Sequence, residues 1–220
     1  MIFQLDPHDI HFPDPALAEP DGLLAIGGDL RPERLMEAYR RGIFPWYSDD
    51  TPILWYSPHE RFVLSPDRLK ISKSMRQVLR SGRFSVTHDH AFAEVIAACA
   101  TQPRHGQDGT WITADMQRAY NELHRLGHAH SVETWHNNKL VGGLYGIAIG
   151  RVFCGESMFA KEANASKVAL ASLCQSGGYG LIDCQVYTDH LASLGAGTVS
   201  RAIYLEWLDA GPGSPAKNSY

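Results

Sequence analysis

The chain has 220 residues, of which 44% are hydrophobic and 20% are charged, and its formal net charge at pH 7 is -4. This length suffices for one large or two modest globular domains, and the charge balance confines any nucleic-acid contact to a local basic patch. No apolar run approaches the roughly 20 residues that cross a bilayer, and the first residues do not resemble an export signal. We therefore predict a soluble, cytoplasmic protein that makes no membrane contact.

The first sixty residues predict a small N-terminal domain, because they are rich in proline, glycine and tryptophan and contain one evident helix. The helix is expected over 32–41, where a proline opens it and Gly42 ends it. Its apolar stripe consists of Leu35, Met36 and Tyr39. The predicted organisation is a small domain over 1–60, a larger domain over 61–210 and a flexible tail over 211–220.

The second predicted helix, over 72–80, has a purely basic side. Its cations recur every three or four residues and are Lys73, Arg76, Arg80 and Arg83. No acidic residue falls between positions 68 and 83, so the sequence offers these cations no local ion-pair partner. A one-sided basic helix is typical of phosphate binding, and a merely solvated helix face is the common alternative.

The remaining elements favour an α+β fold, with a mixed, largely antiparallel sheet flanked by helices, over a doubly wound one. Hydrophobic periodicity and turn residues define them. In chain order they are a strand at 84–87, helices at 92–99 and 113–126, strands at 130–135 and 140–149 around an Asn137-Asn138 turn, a strand bearing Glu156, a helix at 167–174, a strand at 181–187 and a helix at 200–207. A glycine-containing loop is expected over 102–109.

Two of the predicted strands contain polar groups inside apolar runs. Glu156 lies in the run 153–159, and Asp183 and Gln185 lie in the run 181–185. Burying a carboxylate or an amide is costly unless the group is hydrogen-bonded or paired. These residues therefore indicate either a functional site or a structural hydrogen-bond network.

Strand alternation predicts which of these side chains share a face. Asp183 and Gln185 are expected on one face of their strand. The same rule places Met158 on the face of Glu156 and Phe153 on the opposite face. If the two strands are neighbours, the two carboxylates and the amide line a single apolar pocket.

Other patterns favour structural roles over chemistry. The four cysteines lack metal-binding or redox spacing and lie in apolar runs, so we expect reduced, buried thiols; Cys154 as a nucleophile is the weaker alternative. His124, His128 and His130 have spacings that a metal tolerates. Gly127 breaks the helix between them, and no carboxylate or thiol joins them in the sequence, so we expect no metal site.

Seven short motifs, taken together and in order, span nearly the whole chain, and no motif is recognised after Trp207. They are Gly22 to Leu30, Gly42-Ile43-Phe44-Pro45-Trp46, Gly109-Thr110-Trp111-Ile112, Gly127-His128-Ala129-His130-Ser131, Phe153 to Phe159, Asn164-Ala165-Ser166-Lys167 and Leu181 to Gln185. In these motifs the sequence resembles the bacterial leucyl/phenylalanyl-tRNA protein transferases.

The resemblance implies an enzyme that moves leucine or phenylalanine from aminoacyl-tRNA to the α-amino group of a protein that begins with arginine or lysine, which marks that protein for degradation. It also implies that the larger domain has the fold of the GCN5-related N-acyltransferases. No metal and no coenzyme are implied. We expect a monomer.

The resemblance also implies roles for the polar residues. In similar enzymes the amide matching Gln185 is proposed to accept the proton of the attacking amine, with the carboxylate matching Asp183 polarising it. An amide oxygen is a weak base, so proton removal by Asp183, Glu156 or water stays open. The two carboxylates also offer the negative charge that an N-terminal arginine or lysine would seek.

The remaining implied roles concern the tRNA donor. Trp46 and Trp111 match aromatic residues that hold the 3′-terminal adenosine, and the basic residues of the second helix fit the phosphates of the acceptor stem. The candidates for the pocket that accepts the aminoacyl side chain are Leu144, Phe153, Met158, Leu170, Leu173 and Ile182.

Two other classes of protein remain as alternatives. A coenzyme A-dependent N-acyltransferase would share the sheet, but the sequence lacks the glycine-rich pyrophosphate loop of that class. A non-catalytic RNA-binding module would explain the basic helix and the tryptophans but gives Glu156 and Asp183 no use.

Overall fold

The structure is a computed structural model that describes residues 2–102 and 111–210. The predicted tail over 211–220 and all but the first residue of the predicted loop over 102–109 lie outside these residues. Among the helices of the described part, none has both the length and the apolar character needed to cross a bilayer.

The N-terminal part contains a four-stranded sheet, one α-helix and a short 3₁₀-helix (Pro15–Leu17). The helix α1 (Pro32–Arg40) confirms the prediction from sequence, and Gly42 follows it with a φ of 68°, a left-handed conformation that suits glycine at a helix end. The strands are β1 (Phe3–Leu5), β2 (Leu23–Gly27), β3 (Phe44–Pro45) and β4 (Leu54–Tyr56). They pair in the order β1, β2, β4, β3.

A seven-stranded sheet forms the larger part of the protein. Its strands are β5 (Glu60–Leu64), β6 (Ser85–His88), β7 (Ala129–His136), β8 (Lys139–Ile149), β9 (Val152–Ala160), β10 (Leu181–Asp183) and β11 (Gly197–Ser200). Their order across the sheet is β11, β5, β10, β9, β8, β7, β6. The β9–β10 pair is parallel and the other neighbouring pairs are antiparallel. The predicted α+β class and mixed, largely antiparallel sheet are therefore confirmed.

Helices cover both faces of this sheet. The α-helices of the larger part are α2 (Lys73–Arg80), α3 (Phe92–Thr101), α4 (Ala114–Arg125), α5 (Ala165–Gln175), α6 (Asp189–Ser193) and α7 (Arg201–Asp209). On one face α1 and α3 contact β8 and α4 contacts β7, while on the other α5 packs against β7, β8 and β9. Because α1 belongs to the N-terminal part, that part contributes to the core of the larger sheet.

Two departures from regular strands position the polar residues. In the β8–β9 ladder Tyr145 pairs with Ser157 and Gly146 pairs with Gly155, so Glu156 is an extra residue, a β-bulge, on β9. Strand β10 ends at Asp183, whereas the sequence predicted a strand to residue 187. Both departures interrupt side-chain alternation at the residues that carry the polar groups.

Candidate active site

A cavity of about 560 Å³ opens where β9 and β10 meet α5 and the end of β3. That volume falls in the range of small-molecule sites. The cavity brings together all eleven residues that the sequence analysis assigned to the polar centre, the aminoacyl pocket and the adenosine contact. They are Trp46, Trp111, Leu144, Phe153, Glu156, Met158, Leu170, Leu173, Ile182, Asp183 and Gln185.

The apolar half of the cavity is a cleft between the sheet and α5. Leu144, Phe153 and Ile182 come from three neighbouring strands, and Leu170 and Leu173 come from α5. The predicted side for Met158 is wrong: it packs with this cluster, on the side of Phe153 and away from the tyrosines around Glu156. The bulge at Glu156 explains the error, because one extra residue reverses the alternation of every side chain after it.

The two tryptophans line the same cavity from outside the sheet. Trp46 follows β3 and is 37% exposed, with its ring 6.1 Å from the ring of Tyr56. Trp111 is half-buried just before α4. Partly exposed indoles at a cavity are suited to stacking on a base, so the adenosine contact stays a prediction that the geometry permits.

Glu156 is buried among uncharged hydrogen-bond donors. Its Oε1 accepts from the hydroxyl of Tyr39 at 2.7 Å and from the Gln185 amide at 2.8 Å, and its Oε2 accepts from the hydroxyl of Tyr120 at 3.3 Å. The two tyrosine hydroxyls are also within hydrogen-bonding distance of each other, so their two hydrogens are shared among three contacts, of which the longest is that of Tyr120 with Glu156. Burial raises the pKa of Glu156 to about 7. The Tyr39 hydrogen bond opposes this rise, and the charge of Asp183 adds to it.

Asp183 is buried against a cation. Arg61 donates from Nε to Asp183 Oδ1 at 3.2 Å and from Nη2 to Oδ2, so the pair is bidentate. The Tyr204 hydroxyl also donates to Oδ2 at 2.7 Å. Burial alone would lower the pKa of Arg61, but the negative charge of the adjacent Asp183 raises it above its ordinary value. Both oxygens of Asp183 are thus occupied, and its charge is matched by a fixed cation.

Gln185 has a left-handed backbone, with a φ of 62°. The amide of Val186 donates to the carbonyl of Cys184 at 2.8 Å, which makes Gln185 the centre of a strained γ-turn. Asp183 Oδ1 accepts from the Gln185 backbone amide at 2.8 Å and stabilises this turn. Strained backbone of this kind is concentrated at functional sites.

The predicted shared strand face of Asp183 and Gln185 is therefore wrong. Asp183 is directed to Arg61 and Tyr204, and Gln185 leaves the strand and is directed to Glu156. Their common location is nevertheless right, because β9 and β10 are neighbours, with Asp183 beside Cys154, and all three polar residues line the cavity.

Four residues of the polar centre were missed by the sequence analysis. They are Tyr39, Arg61, Tyr120 and Tyr204. The two tyrosines at Glu156 fit the apolar stripes of α1 and α4, so periodicity alone marks them as core residues. Their hydroxyls need a partner once buried, and this requirement is the signal that could have identified them.

The predicted basic side of α2 is only partly as expected. Lys73, Arg76 and Arg80 are exposed on the helix, but Arg83 lies beyond its end and pairs with Glu162 at 2.7 Å. The acidic partner is distant in sequence, which is why no local pattern indicated it. These four cations are not among the described residues that line the cavity, and their contact with tRNA stays a prediction.

The structure also locates the histidines and Cys154. The expectation that no carboxylate joins the histidines is wrong, because Asp89 Oδ2 lies 2.7 Å from His130 Nδ1. Among residues 2–102 and 111–210, however, no group of three or more His, Cys, Asp or Glu side chains is arranged to hold a metal ion. Burial raises the pKa of the Cys154 thiol, which disfavours the thiolate that a nucleophile requires.

Comparison with known proteins decides the family. The family model described as leucyl/phenylalanyl-tRNA protein transferase matches residues 63–209, and the model of the N-terminal domain of the same transferase matches residues 28–59. The chain belongs to the leucyl/phenylalanyl-tRNA protein transferase family. This confirms the resemblance seen in the sequence motifs.

Similar members of this family cover almost the whole chain. The leucyl/phenylalanyl-tRNA protein transferase of Syntrophobacter fumaroxidans is 58% identical over 210 residues, which are 94% of this chain and 89% of the relative. That of Klebsiella pneumoniae subsp. pneumoniae is 54% identical over 213 residues, which are 94% of this chain and 90% of the relative.

Two solved structures that resemble the chain have low sequence identity to it. FemX has a TM-score of 0.48 at 8% identity over 76% of this chain and 66% of FemX. A GCN5-related N-acetyltransferase from Kribbella flavida has a TM-score of 0.34 at 11% identity over 74% of this chain and 58% of that protein.

Proposed function

We propose that the protein transfers leucine or phenylalanine from aminoacyl-tRNA to the α-amino group of proteins that begin with arginine or lysine, and so marks them for degradation. The observation that carries this proposal is an apolar cleft that ends at Glu156 and Gln185. A cleft of this kind can hold an apolar side chain while polar groups face the reacting ester. Family membership supports the same reaction.

The donor would enter with its side chain in the cleft between the sheet and α5. Leucine and phenylalanine are unbranched at Cβ and apolar, which suits a lining of leucine, isoleucine, methionine and phenylalanine side chains. Trp46 and Trp111 would stack on the terminal adenosine, and the exposed cations of α2 would contact acceptor-stem phosphates without reading their sequence. The ester is already activated, so holding both substrates in place supplies much of the rate.

Gln185 would orient the attacking amine. Its side-chain Nε2 donates to Glu156, which leaves its carbonyl oxygen as an acceptor for an N–H of the incoming amine. We assign proton removal to Glu156 and not to the amide, because a carboxylate with a pKa of about 7 is matched to proton transfer at neutral pH.

Asp183 is a poor base in this arrangement. Its oxygens form a bidentate pair with the Arg61 guanidinium, and taking a proton would break that ion pair, whereas the donors to Glu156 are uncharged. Because Arg61 neutralises Asp183, Glu156 is the carboxylate of the cavity that remains to attract the cationic end of the acceptor.

The proposed reaction is balanced without a further reactant. The acceptor ammonium loses one proton to Glu156, its nitrogen attacks the ester carbonyl, and a C–N bond forms. As the tetrahedral intermediate collapses, the C–O bond to the ribose breaks. The nitrogen loses a second proton and the leaving ribose oxygen gains one, which gives an amide and free tRNA.

The test follows label from the donor. Radiolabelled Leu-tRNA and Phe-tRNA are each incubated with the protein and a peptide that begins with arginine, alongside the same peptide acetylated at its amino terminus. We expect label on the free peptide alone. A parallel reaction with labelled acetyl-coenzyme A addresses the coenzyme-dependent alternative.

The outcomes separate the three classes of protein. Label that passes from tRNA to the peptide amino terminus supports the transferase. Label that stays on tightly bound tRNA contradicts it and favours a binding module, and transfer from acetyl-coenzyme A favours an acetyltransferase. Cytoplasmic location and the monomeric state are further predictions, which fractionation and analytical ultracentrifugation would check.

A further inference from the structure

We propose that Arg61 is a positioning residue that fixes two sides of the cavity at once. The first side consists of Asp183 and the left-handed turn at Gln185. The second side is the segment 42–46, which ends in Trp46. This inference rests on the proposed function, because the two sides are those assigned to the amine and to the adenosine. Arg61 lies on β5, does not line the cavity among the residues described, and acts through its neighbours.

On the first side, β5 holds the turn by two consecutive residues. The Arg61 guanidinium makes the bidentate pair with Asp183, whose Oδ1 accepts from the Gln185 backbone amide. Phe62, the next residue, donates its backbone amide to the Gln185 carbonyl at 3.3 Å and accepts from the Cys184 amide at 2.8 Å. The strained backbone of Gln185 is therefore supported from both sides, as a persistent strained turn requires.

On the second side, the same guanidinium holds the loop between α1 and β3. Arg61 Nη1 donates to the Gly42 carbonyl at 2.9 Å, and the guanidinium carbon lies 4.8 Å from the centre of the Phe44 ring. The ring of Tyr204 lies on the guanidinium at 4.4 Å. Phe44, Pro45 and Trp46 all line the cavity, so this contact sets one wall of it.

Stability alone is a weak reason for such a pair. Arg61 is 1% exposed and Asp183 is fully buried, and the desolvation of a buried ion pair offsets most of its attraction. A planar guanidinium with donors in a fixed fork does, however, impose geometry on each acceptor it touches. The three acceptor oxygens here belong to both sides of the cavity.

The main test is Arg61→Lys, assayed with Leu-tRNA and an arginine peptide. Lysine keeps the charge but not the fork, so we expect kcat to fall about 10- to 100-fold, the loss that a displacement of about 1 Å at a reacting group produces. The KM for Leu-tRNA should also rise, because the wall that carries Trp46 loses its anchor. A purely structural role would lower the folded fraction and leave the KM unchanged.

Arg34→Lys is the matched control. Arg34 is also fully buried, pairs with Asp29 at 3.3 Å and bonds to the Asp6 carbonyl at 2.9 Å, and it is not among the cavity residues. It should lose stability without a change in kcat per folded molecule or in KM. If neither the wild type nor Arg34→Lys transfers label from Leu-tRNA to the peptide, the proposed function fails. If both transfer label and Arg61→Lys, like Arg34→Lys, keeps its kcat per folded molecule and its KM, the proposed function stands and the inference about Arg61 fails.

A double-mutant cycle tests whether Arg61 acts through Asp183. In an Asp183→Asn background, Arg61→Lys should no longer lower kcat but should still raise the KM for Leu-tRNA. An equal loss of kcat in both backgrounds would contradict the proposal. If Arg61→Lys does not fold, Arg61→Gln combined with Asp183→Asn replaces it, because this pair leaves no unmatched buried charge. A KM for Leu-tRNA above that of Asp183→Asn alone supports the proposal, and an equal KM overturns it.

Discussion

The surroundings of Glu156 and Asp183 differ although the two carboxylates lie on neighbouring strands and line one cavity. Glu156 contacts two tyrosine hydroxyls and an amide, all uncharged, from α1, α4 and the turn after β10. Asp183 contacts an arginine from β5 and a tyrosine from α7. The surroundings of Glu156 suit a group that exchanges a proton near neutral pH, and those of Asp183 suit a group that holds a cation and a backbone turn in place.

The difference shows that burial alone does not assign a role to a carboxylate. Both groups are buried and both accept several hydrogen bonds. The charge of the donors separates them, because a fixed cation favours the ionised form, whereas hydroxyl and amide donors only offset part of the desolvation. The following substitutions test this distinction, beginning with the largest expected effect.

Replacing the proposed base should have the largest effect on rate. We expect Glu156→Gln to lower kcat about 10²- to 10⁴-fold, the usual contribution of a positioned general base. Glu133→Gln is the control, since Glu133 is also fully buried and accepts from the Ser131 and Thr87 hydroxyls away from the cavity. Glu133→Gln should lower the free energy of unfolding and leave kcat unchanged. A Glu156→Gln enzyme with near-normal kcat would remove Glu156 from the mechanism.

For the free energy of unfolding we expect the larger loss from replacing Asp183 and the smaller loss from replacing Glu156. Asp183→Asn leaves the buried guanidinium of Arg61 without its counter-charge, so the free energy of unfolding should fall by about 3–5 kcal/mol. Glu156→Gln keeps one acceptor oxygen and removes the desolvation cost of a buried charge, which offsets part of the lost hydrogen bonding, so the net loss should be only about 1 kcal/mol. Urea unfolding of both variants measures the difference. Equal losses would mean that the two surroundings do not differ as described.

A smaller effect is expected from the hydroxyl on Glu156. Tyr39→Phe removes a hydrogen bond to the ionised carboxylate, which should raise the pKa of Glu156 further above its ordinary value. The rise should be about one to two pH units, because such a bond is worth about 1.5–3 kcal/mol. Tyr120→Phe, whose hydroxyl lies farther away at 3.3 Å, should shift the pKa less. Titration of the Glu156 carboxyl group followed by NMR would measure its pKa in both variants. A lower pKa of Glu156 in Tyr39→Phe than in the wild type would contradict the account.

Much of the fold could be predicted because its signals are local. The Asn137-Asn138 turn predicted from the sequence lies between β7 and β8. Both asparagines have a left-handed backbone conformation there, with φ values of 50° and 58°. The helices α1, α2 and α4 begin and end near the predicted residues because proline, serine, threonine and glycine mark their ends. The strands β5 and β11 were missed, since five and four residues are too few for a periodic pattern to identify a strand.

The site was found for a partly incorrect reason. Polarity inside apolar runs identifies Glu156, Asp183 and Gln185, but strand alternation assumes an unbroken ladder. The bulge at Glu156 and the turn at Gln185 both break it. Arg61 was missed because only the pairing of β5 with β10 brings it to Asp183, and that pairing joins residues more than a hundred positions apart.

The most direct measurement is the pH dependence of kcat for the wild type and Glu156→Gln at saturating Leu-tRNA and arginine peptide. Burial raises the pKa of Glu156 to about 7, and only the ionised form accepts a proton. The wild-type kcat should therefore rise about tenfold per pH unit below pH 7 and reach a plateau above it. The variant should lack this rise. The same rise in both enzymes would contradict the assignment of Glu156 as the base.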